Sequence, residues 1–304
     1  MDRRTFGAGV LAWLGASAAG LPALAGVRDS LSAAGDDAQR QLARLEAREG
    51  GRLGVSLLDV QSGYAIAYRA DERFALCSTF KLLAVGAVLT RVARGEDDLS
   101  RPMRLSAADI VTYSPVTQQR LNEGMTLGQL CEAALLWGDN TAANLLLSTI
   151  GGPPGLTAYA RALGDGVTRL DRLETALNEA RPGDERDTTT PAAMLGNLRQ
   201  LVLGDVLPAP ERERLRDWLM QCRTGRERLR AGLPAAWALA HRSGAGGHGS
   251  CNDIGVAWPA PAAPVLISAY LTESPLDLPG RERVLAEAAR ILAHALVSAR
   301  LHAG

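Results

Sequence analysis

The 304-residue chain lacks the features of several common protein classes. Its 33 basic and 33 acidic side chains cancel, and no polybasic run occurs, so we expect neither a nucleic-acid surface nor a basic membrane patch. It has only four cysteines, without a C-x-x-C pair or a zinc-ligand spacing, so we predict no metal site and no cofactor. The remaining composition, 47% hydrophobic and 22% charged, is typical of one large domain or two closely packed lobes.

The first 25 residues have the pattern of an export signal. Arg3 and Arg4 precede an apolar run, and Ala23 and Ala25 fit an A-x-A cleavage site. The arginine pair is similar to a twin-arginine signal, with an ordinary secretory signal as the alternative. The run is short and rich in small residues, which argues against a retained membrane anchor. We therefore expect a periplasmic protein that consists of residues 26–304 after cleavage near Ala25.

Strand patterns lie at both ends of the chain and helix patterns lie in its middle. The predicted strands cover residues 53–60, 64–68, 236–242, 253–258 and 265–272. The predicted helices cover residues 37–49, 80–94, 127–150, 156–163, 191–203, 210–221 and 281–301. This order predicts an α/β (α+β) fold with two lobes. One lobe, about residues 30–68 and 222–304, is an antiparallel sheet flanked by helices, and the other, about residues 69–221, is all helical, with a cleft between them.

The segment Ser78-Thr79-Phe80-Lys81 places a lysine three residues after a serine, at the start of an apolar helix. Positions i and i+3 share one helix face, so Lys81 can reach the Ser78 hydroxyl. A buried ammonium tends to lose its proton and can then act as a base. The S-x-x-K pattern is common by chance, and its interpretation depends on other motifs.

Three later segments give that support. They are Gly138-Asp139-Asn140, a polar loop with Glu174 and Asn178, and Arg242-Ser243-Gly244. With S-x-x-K, their order and spacing closely resemble the class A β-lactamases, with G-D-N in place of S-D-N and R-S-G in place of K-T-G. The resemblance covers nearly all of the chain after the predicted signal.

The resemblance implies a mechanism. Ser78 would attack the lactam carbonyl, while the backbone N–H groups of Ser78 and Ala245 form the oxyanion hole. Either Lys81, or Glu174 through a water, would take the serine proton. Glu174 and Asn178 would then hold the water that hydrolyses the acyl-enzyme.

The resemblance also implies a substrate site. Arg242 and Ser243 would bind the carboxylate of a β-lactam. Many relatives have a further arginine where this chain has Cys251, so Thr224 and Arg228 are expected to replace it.

Four more residues have expected roles around this site. Asn140 would bind the acylamide side chain and Lys81, and Tyr113 would form a wall of the cleft or only a packing contact. Arg172 and Asp187 would pair across the neck of the polar loop and close it as an Ω-loop.

Gly138 is the main departure from the family, because the serine at this position relays a proton to the departing lactam nitrogen. Losing a general acid slows a step by about 10²–10⁴-fold. A water held by Arg242, Ser243 or Thr224 could substitute, and Gly138→Ser is expected to raise acylation.

The cysteines and histidines have expectations of their own. Cys77 matches half of a disulfide found in some relatives, but its partner position is Gly246, so we expect mostly buried free thiols, with a Cys77–Cys251 bond as the alternative. His241 and His248 are expected at the surface or the rim.

Two other functions stay open: a D-alanyl-D-alanine peptidase, and a lactam sensor that acylates and stalls. In each case the expected partner is a small molecule, and the protein is expected to be a monomer that binds no nucleic acid.

Overall fold

A five-stranded antiparallel sheet organises the fold. The structure is a computed structural model that describes residues 21–303, with side chains for residues 34–301. The strands are β1 (Arg52–Asp59), β2 (Ala65–Tyr68), β3 (Phe74–Ala75), β4 (Pro102–Met103), β5 (Met125–Thr126), β6 (Thr188–Thr189), β7 (Ala238–Ala245), β8 (Cys251–Trp258) and β9 (Val265–Thr272). The main sheet has the order β2-β1-β9-β8-β7, and β3 with β6 and β4 with β5 form two short pairs.

Nine α-helices surround the sheet and fill the middle of the described chain. They are α1 (Leu21–Glu49), α2 (Phe80–Ala93), α3 (Leu127–Glu132), α4 (Asn140–Thr149), α5 (Gly152–Ala162), α6 (Pro191–Leu198), α7 (Ala209–Met220), α8 (Leu229–Gly232) and α9 (Leu278–Ala303). Helices α1 and α9 pack against each other, and α8 packs on α9. Helix α2 is packed by α4, α5 and α7, which places the segment after Ser78 at the centre of the helical region.

Both faces of the central strand β9 are covered, which explains its largely apolar sequence. Ile267 and Leu271 belong to the core under α1 and α9, whereas Leu266 and Tyr270 belong to the core shared with α2. The alternation follows the two-residue period of a strand. The expected α/β fold, an antiparallel sheet with flanking helices and a helical region, is confirmed.

One predicted helix is wrong. The apolar pattern over 127–150 reads as continuous, but the chain forms α3, a π-helical turn over Ala133–Trp137, and then α4. Gly138 breaks the run because it adopts φ 73°, a left-handed conformation that favours glycine. Asp139 starts α4, since its side chain accepts a hydrogen bond from the Ala142 N–H.

The N-terminal predictions are only partly within the described residues. Residues 1–20 of the predicted signal lie outside them, and Leu21 begins α1, which extends the predicted helix over 37–49. No helix of the described residues combines the length and the apolar character needed to cross a membrane. The lobe boundaries stay a prediction.

Candidate active site

Ser78 lies in a single 3-10 turn, Cys77–Thr79, that leads directly into α2. Cys77 adopts φ 43°, a conformation that costs a residue with a β-carbon about 1–3 kcal/mol. Asn252 on β8 holds this turn, because its Nδ2 donates to the carbonyls of Ala75 and Leu76. The strained turn is therefore fixed by the sheet, with Ser78 at the cleft.

Lys81 is completely buried and surrounded by oxygen atoms. Its Nζ lies 2.9 Å from Ser78 Oγ, 2.9 Å from the Gly138 carbonyl oxygen, 2.6 Å from Asn140 Oδ1 and 2.9 Å from Glu174 Oε1. Burial lowers the pKa of Lys81 to about 8, although the negative charge of Glu174 raises it. An ammonium has three N–H groups, so Lys81 can donate to at most three of these four oxygens at one time.

Asn144 was missed by the sequence reasoning, and it positions Glu174. Its Oδ1 accepts from the Glu174 N–H at 2.9 Å, and its Nδ2 donates to the Glu174 carbonyl at 3.0 Å. The sequence feature that could have indicated this role is the position of Asn144 four residues after Asn140, on the same face of α4.

Glu174 and Asn178 form a buried pair. Asn178 Nδ2 donates to Glu174 Oε2 at 2.5 Å. Asn178 Oδ1 is a buried acceptor with no hydrogen-bond donor among the described residues, and Glu174 Oε1 is a buried acceptor beside Lys81 Nζ. Glu174 Oε1 lies 2.9 Å from Lys81 Nζ, and this ion pair leaves the oxygen a lone pair for a further hydrogen bond. Asn178 lines the cleft together with Ser78, so this pair lies at the wall of the cleft.

The predicted pair of Arg172 and Asp187 is present and closes the loop over residues 172–187. Arg172 Nε lies 2.6 Å from Asp187 Oδ2, and the backbone N–H groups of Asp171 and Arg172 donate to Asp187 Oδ1. The Asp187 side chain is fully buried, so these bonds are shielded from solvent.

Asp187→Ala is expected to loosen this loop and slow deacylation by about 10²-fold, because a misplacement of 1 Å costs that much at a reacting centre. Single-turnover kinetics with a penicillin measures the rate, and limited proteolysis measures the loosening. Asp187→Asn is the matched control, since asparagine also tolerates the φ of 57° at this position and keeps one acceptor. Unchanged deacylation together with unchanged protease sensitivity would rule this out.

The cleft in front of Ser78 has a volume of about 320 Å³. The predicted site residues that line it are Ser78, Tyr113, Gly138, Asn140, Asn178, Thr224, Arg228, Arg242, Ser243 and Ala245. Tyr113 is 57% exposed at the rim, as a cleft wall requires. Lys81 and Glu174 lie behind this surface. The structure thus brings the predicted set together.

The polar side of the cleft is built on Arg242, Ser243 and Thr224. The hydroxyls of Thr224 and Ser243 lie 2.7 Å apart, and Arg242 Nη1 donates to Thr224 Oγ1 at 3.3 Å. Three polar groups therefore converge on one end of the cleft.

Arg228 does not have two free donors with which to bind a carboxylate in a bidentate way. Its Nη1 donates to the carbonyls of Gly244 and Asn252, and its Nε donates to Glu282. Only Nη2 lacks an acceptor among the described residues. Arg228 mainly ties β7 to β8 and can offer the cleft one donor.

Gly138 does not leave an open space. A β-carbon built on Gly138 would lie 2.7 Å from Arg242 Nη2. The sequence predicts a water where the serine side chain of the family lies, but the guanidinium edge occupies that position. The backbone carbonyl of Gly138 contributes instead, as an acceptor for Lys81.

The expectations for the cysteines and for His248 agree with the structure, but the expectation for His241 does not. All four cysteines are buried free thiols, as expected. His248 is exposed, but His241 was predicted wrongly, because its side chain is buried and its Nδ1 lies 2.9 Å from Asp253 Oδ1. Desolvation lowers the pKa of His241, but the charge and the hydrogen bond of Asp253 outweigh it, so the pKa lies above its ordinary value.

Comparison with known proteins decides the family. A model of the beta-lactamase enzyme family matches residues 37–296. The chain belongs to this family. It is 49% identical over 259 residues to beta-lactamase FAR-1 of Nocardia farcinica (strain IFM 10152), covering 85% of this chain and 83% of that one. It is 45% identical over 267 residues to beta-lactamase OXY-2 of Klebsiella oxytoca, covering 88% of this chain and 92% of that one.

Solved structures identify the class. An ancestral class A beta-lactamase (GNCA) superposes with a TM-score of 0.84 at 55% identity and covers 85% of this chain and 99% of its own. The last common ancestor of Gram-negative bacteria (GNCA4) class A beta-lactamase gives 0.84 at 54%, with the same coverage. The predicted membership of the class A serine β-lactamases is confirmed.

Proposed function

We propose that this class A β-lactamase hydrolyses the amide of β-lactams through an acyl-enzyme on Ser78. The observation that carries the proposal is the buried contact of 2.9 Å between Ser78 Oγ and Lys81 Nζ, at the edge of the cleft. A weak nucleophile becomes active when a base lies within hydrogen-bond reach, and this geometry provides one.

In acylation, Lys81 takes the proton of Ser78 as Oγ attacks the lactam carbonyl. With a pKa of about 8, roughly a tenth of Lys81 is neutral at pH 7. As the C–N bond breaks, the nitrogen keeps the electron pair and receives the proton back from Lys81, which becomes neutral again. The backbone N–H groups of Ser78 and Ala245 stabilise the oxyanion.

In deacylation, Glu174 and Asn178 hold and activate a water. The two buried acceptors, Glu174 Oε1 and Asn178 Oδ1, can each accept one hydrogen of the same molecule. Glu174 takes a proton as the water oxygen attacks the ester carbonyl, and that proton passes to Ser78 Oγ as the bond between Oγ and the carbonyl carbon breaks. These acceptors favour turnover over a sensor that stalls or a peptidase without such a water.

The substrate contacts follow from the charges and hydrogen bonds of the cleft. Arg242, Ser243 and Thr224 bind the carboxylate, with Arg228 as a single further donor. Asn140 binds the acylamide group, and Tyr113 forms a wall.

We also propose that the enzyme is exported to the periplasm and acts as a monomer. The signal pattern over residues 1–25, twin-arginine in type, supports export. Detection of the amino terminus of the secreted protein near residue 26 would test it.

The function is tested by mixing the enzyme with a hundredfold excess of a penicillin and following ring opening by absorbance. The proposal predicts complete hydrolysis of the excess. Product formation that stops at one equivalent per enzyme would indicate a sensor or a stalled peptidase.

The rate of acylation is expected to rise with pH through about 8, because the neutral form of Lys81 is the base. Lys81 is the only lysine of the chain, so ¹³C-lysine labelling gives one lysine signal, whose titration reports this pKa directly. In Glu174→Gln the pKa is expected to fall further, since the charge of Glu174 raises it. Titration near the ordinary 10.5 would contradict a lysine base.

A further inference from the structure

Two departures from the family motifs, Gly138 and Arg242, are in contact with each other. A β-carbon on Gly138 would lie 2.7 Å from Arg242 Nη2 and 3.6 Å from Arg242 Cζ and Nη1. A β-carbon essentially never lies within 3.0 Å of an atom of a distant residue, so any side chain at position 138 must displace the guanidinium or the backbone.

The guanidinium is held on several sides and cannot move aside freely. Arg242 is only 2% exposed. Its Nη1 donates to the Leu135 carbonyl at 2.9 Å and to Thr224 Oγ1 at 3.3 Å, and its Nε donates to the Ser78 carbonyl at 3.4 Å. Cys222 Sγ lies 3.8 Å from Nη1.

One edge of Arg242 is left for the substrate. Nη2 has no hydrogen-bond acceptor among the described residues, and it lies beside Gly138 at the cleft. A guanidinium keeps its charge at all relevant pH values, so this edge can donate a hydrogen bond but cannot supply a proton.

We propose that Gly138 and Arg242 are a matched pair, in which Arg242 Nη2 takes the place of the side chain that Gly138 lacks. There it donates a hydrogen bond to the substrate on the side of the departing nitrogen. The hydrogen bond to the substrate is the catalytic half of this proposal and depends on the proposed function. The steric fit between Gly138 and Arg242 is the packing half and does not depend on it. Arginine at position 242 thus excludes a side chain at position 138, and the absence of a side chain at Gly138 leaves space for the Arg242 guanidinium.

The pair reverses the expectation drawn from the sequence for Gly138→Ser. With Arg242 in place, the serine is expected to lower kcat/KM by about tenfold or more and to lower the melting temperature. With Arg242→Lys, the shorter side chain has no Nη2, and the same serine is expected to be tolerated and to restore activity.

The experiment is a double-mutant cycle of the wild type, G138S, R242K and G138S/R242K, measured by kcat/KM for a penicillin and by thermal unfolding. Serine at a φ of 73° is strained in both backgrounds, so that cost cancels in the cycle. The expected kcat/KM of the double variant exceeds the product of the single effects by about tenfold or more, and its melting temperature exceeds the additive value.

The G138A and G138A/R242K variants are the matched controls, because alanine adds the β-carbon without the hydroxyl. They are expected to show the thermal coupling but no recovery of kcat/KM. Failure of G138S to fold, with folding of G138S/R242K, would support the pair as well.

Additive effects in both measurements, or a gain of activity in G138S alone, would contradict the proposed coupling between Gly138 and Arg242. Thermal coupling without coupling in kcat/KM would overturn its catalytic half. If even the wild type fails to turn over a penicillin, the proposed function is wrong, and the melting temperatures still decide on the packing half.

Discussion

Ser78→Ala is expected to abolish covalent labelling by a penicillin and to lower the hydrolysis rate on the order of 10⁶-fold. The Ser78 hydroxyl lies 2.9 Å from Lys81 Nζ at the cleft, and alanine leaves that base with no nucleophile to activate. Hydrolysis of a chromogenic cephalosporin gives the rate, and intact-protein mass spectrometry gives the labelling.

Ser148→Ala is the matched control, since Ser148 is exposed on α4 and its hydroxyl donates a hydrogen bond to the Leu145 carbonyl within the same helix. We expect it to retain full activity. A penicillin adduct that persists in Ser78→Ala would place the nucleophile elsewhere.

Glu174→Gln is expected to separate the two halves of the reaction. Glutamine keeps the size of the side chain but cannot take a proton from the attacking water, so deacylation slows by about 10²–10⁴-fold. Acylation continues, because Ser78 and Lys81 remain in contact, and the acyl-enzyme accumulates. Stopped-flow absorbance is expected to show a burst of one equivalent followed by slow turnover.

Glu185→Gln is the matched control for this variant, because Glu185 belongs to the same loop but is exposed. Its kinetics are expected to equal those of the wild type. Loss of the burst in Glu174→Gln would instead indicate that Glu174 is the base for acylation.

The sequence predicts the local chemistry well. The spacing of Ser78 and Lys81 places them on one helix face, and the apolar run after Lys81 predicts the burial that lowers its pKa. The strand predictions follow from alternation and from apolar runs, and they agree closely with β1, β2 and β9, whereas the strand predicted over 236–242 misses the last three residues of β7. These features depend on neighbouring residues, and a local pattern is enough to find them.

One error is local, and the others concern contacts between distant segments. The apolar pattern continues through Gly138, and only the pairing of a glycine with the cap residue Asp139 could have revealed the break. His241 is buried because Asp253 on the adjacent strand pairs with it, and Arg228 is engaged by carbonyls of β7 and β8. The contact between Gly138 and Arg242 depends on how β7 lies against the π-helical turn over Ala133–Trp137, which periodicity does not specify.

The central claim is that Ser78 carries the acyl group and Glu174 removes it. The most direct measurement is intact-protein mass spectrometry of Glu174→Gln, quenched at intervals after mixing with a penicillin, with peptide mapping. The account predicts that each molecule gains the mass of one penicillin on Ser78 and keeps it long after the wild type has returned to its free mass. No adduct, an adduct on another residue, or release as fast as in the wild type would contradict it.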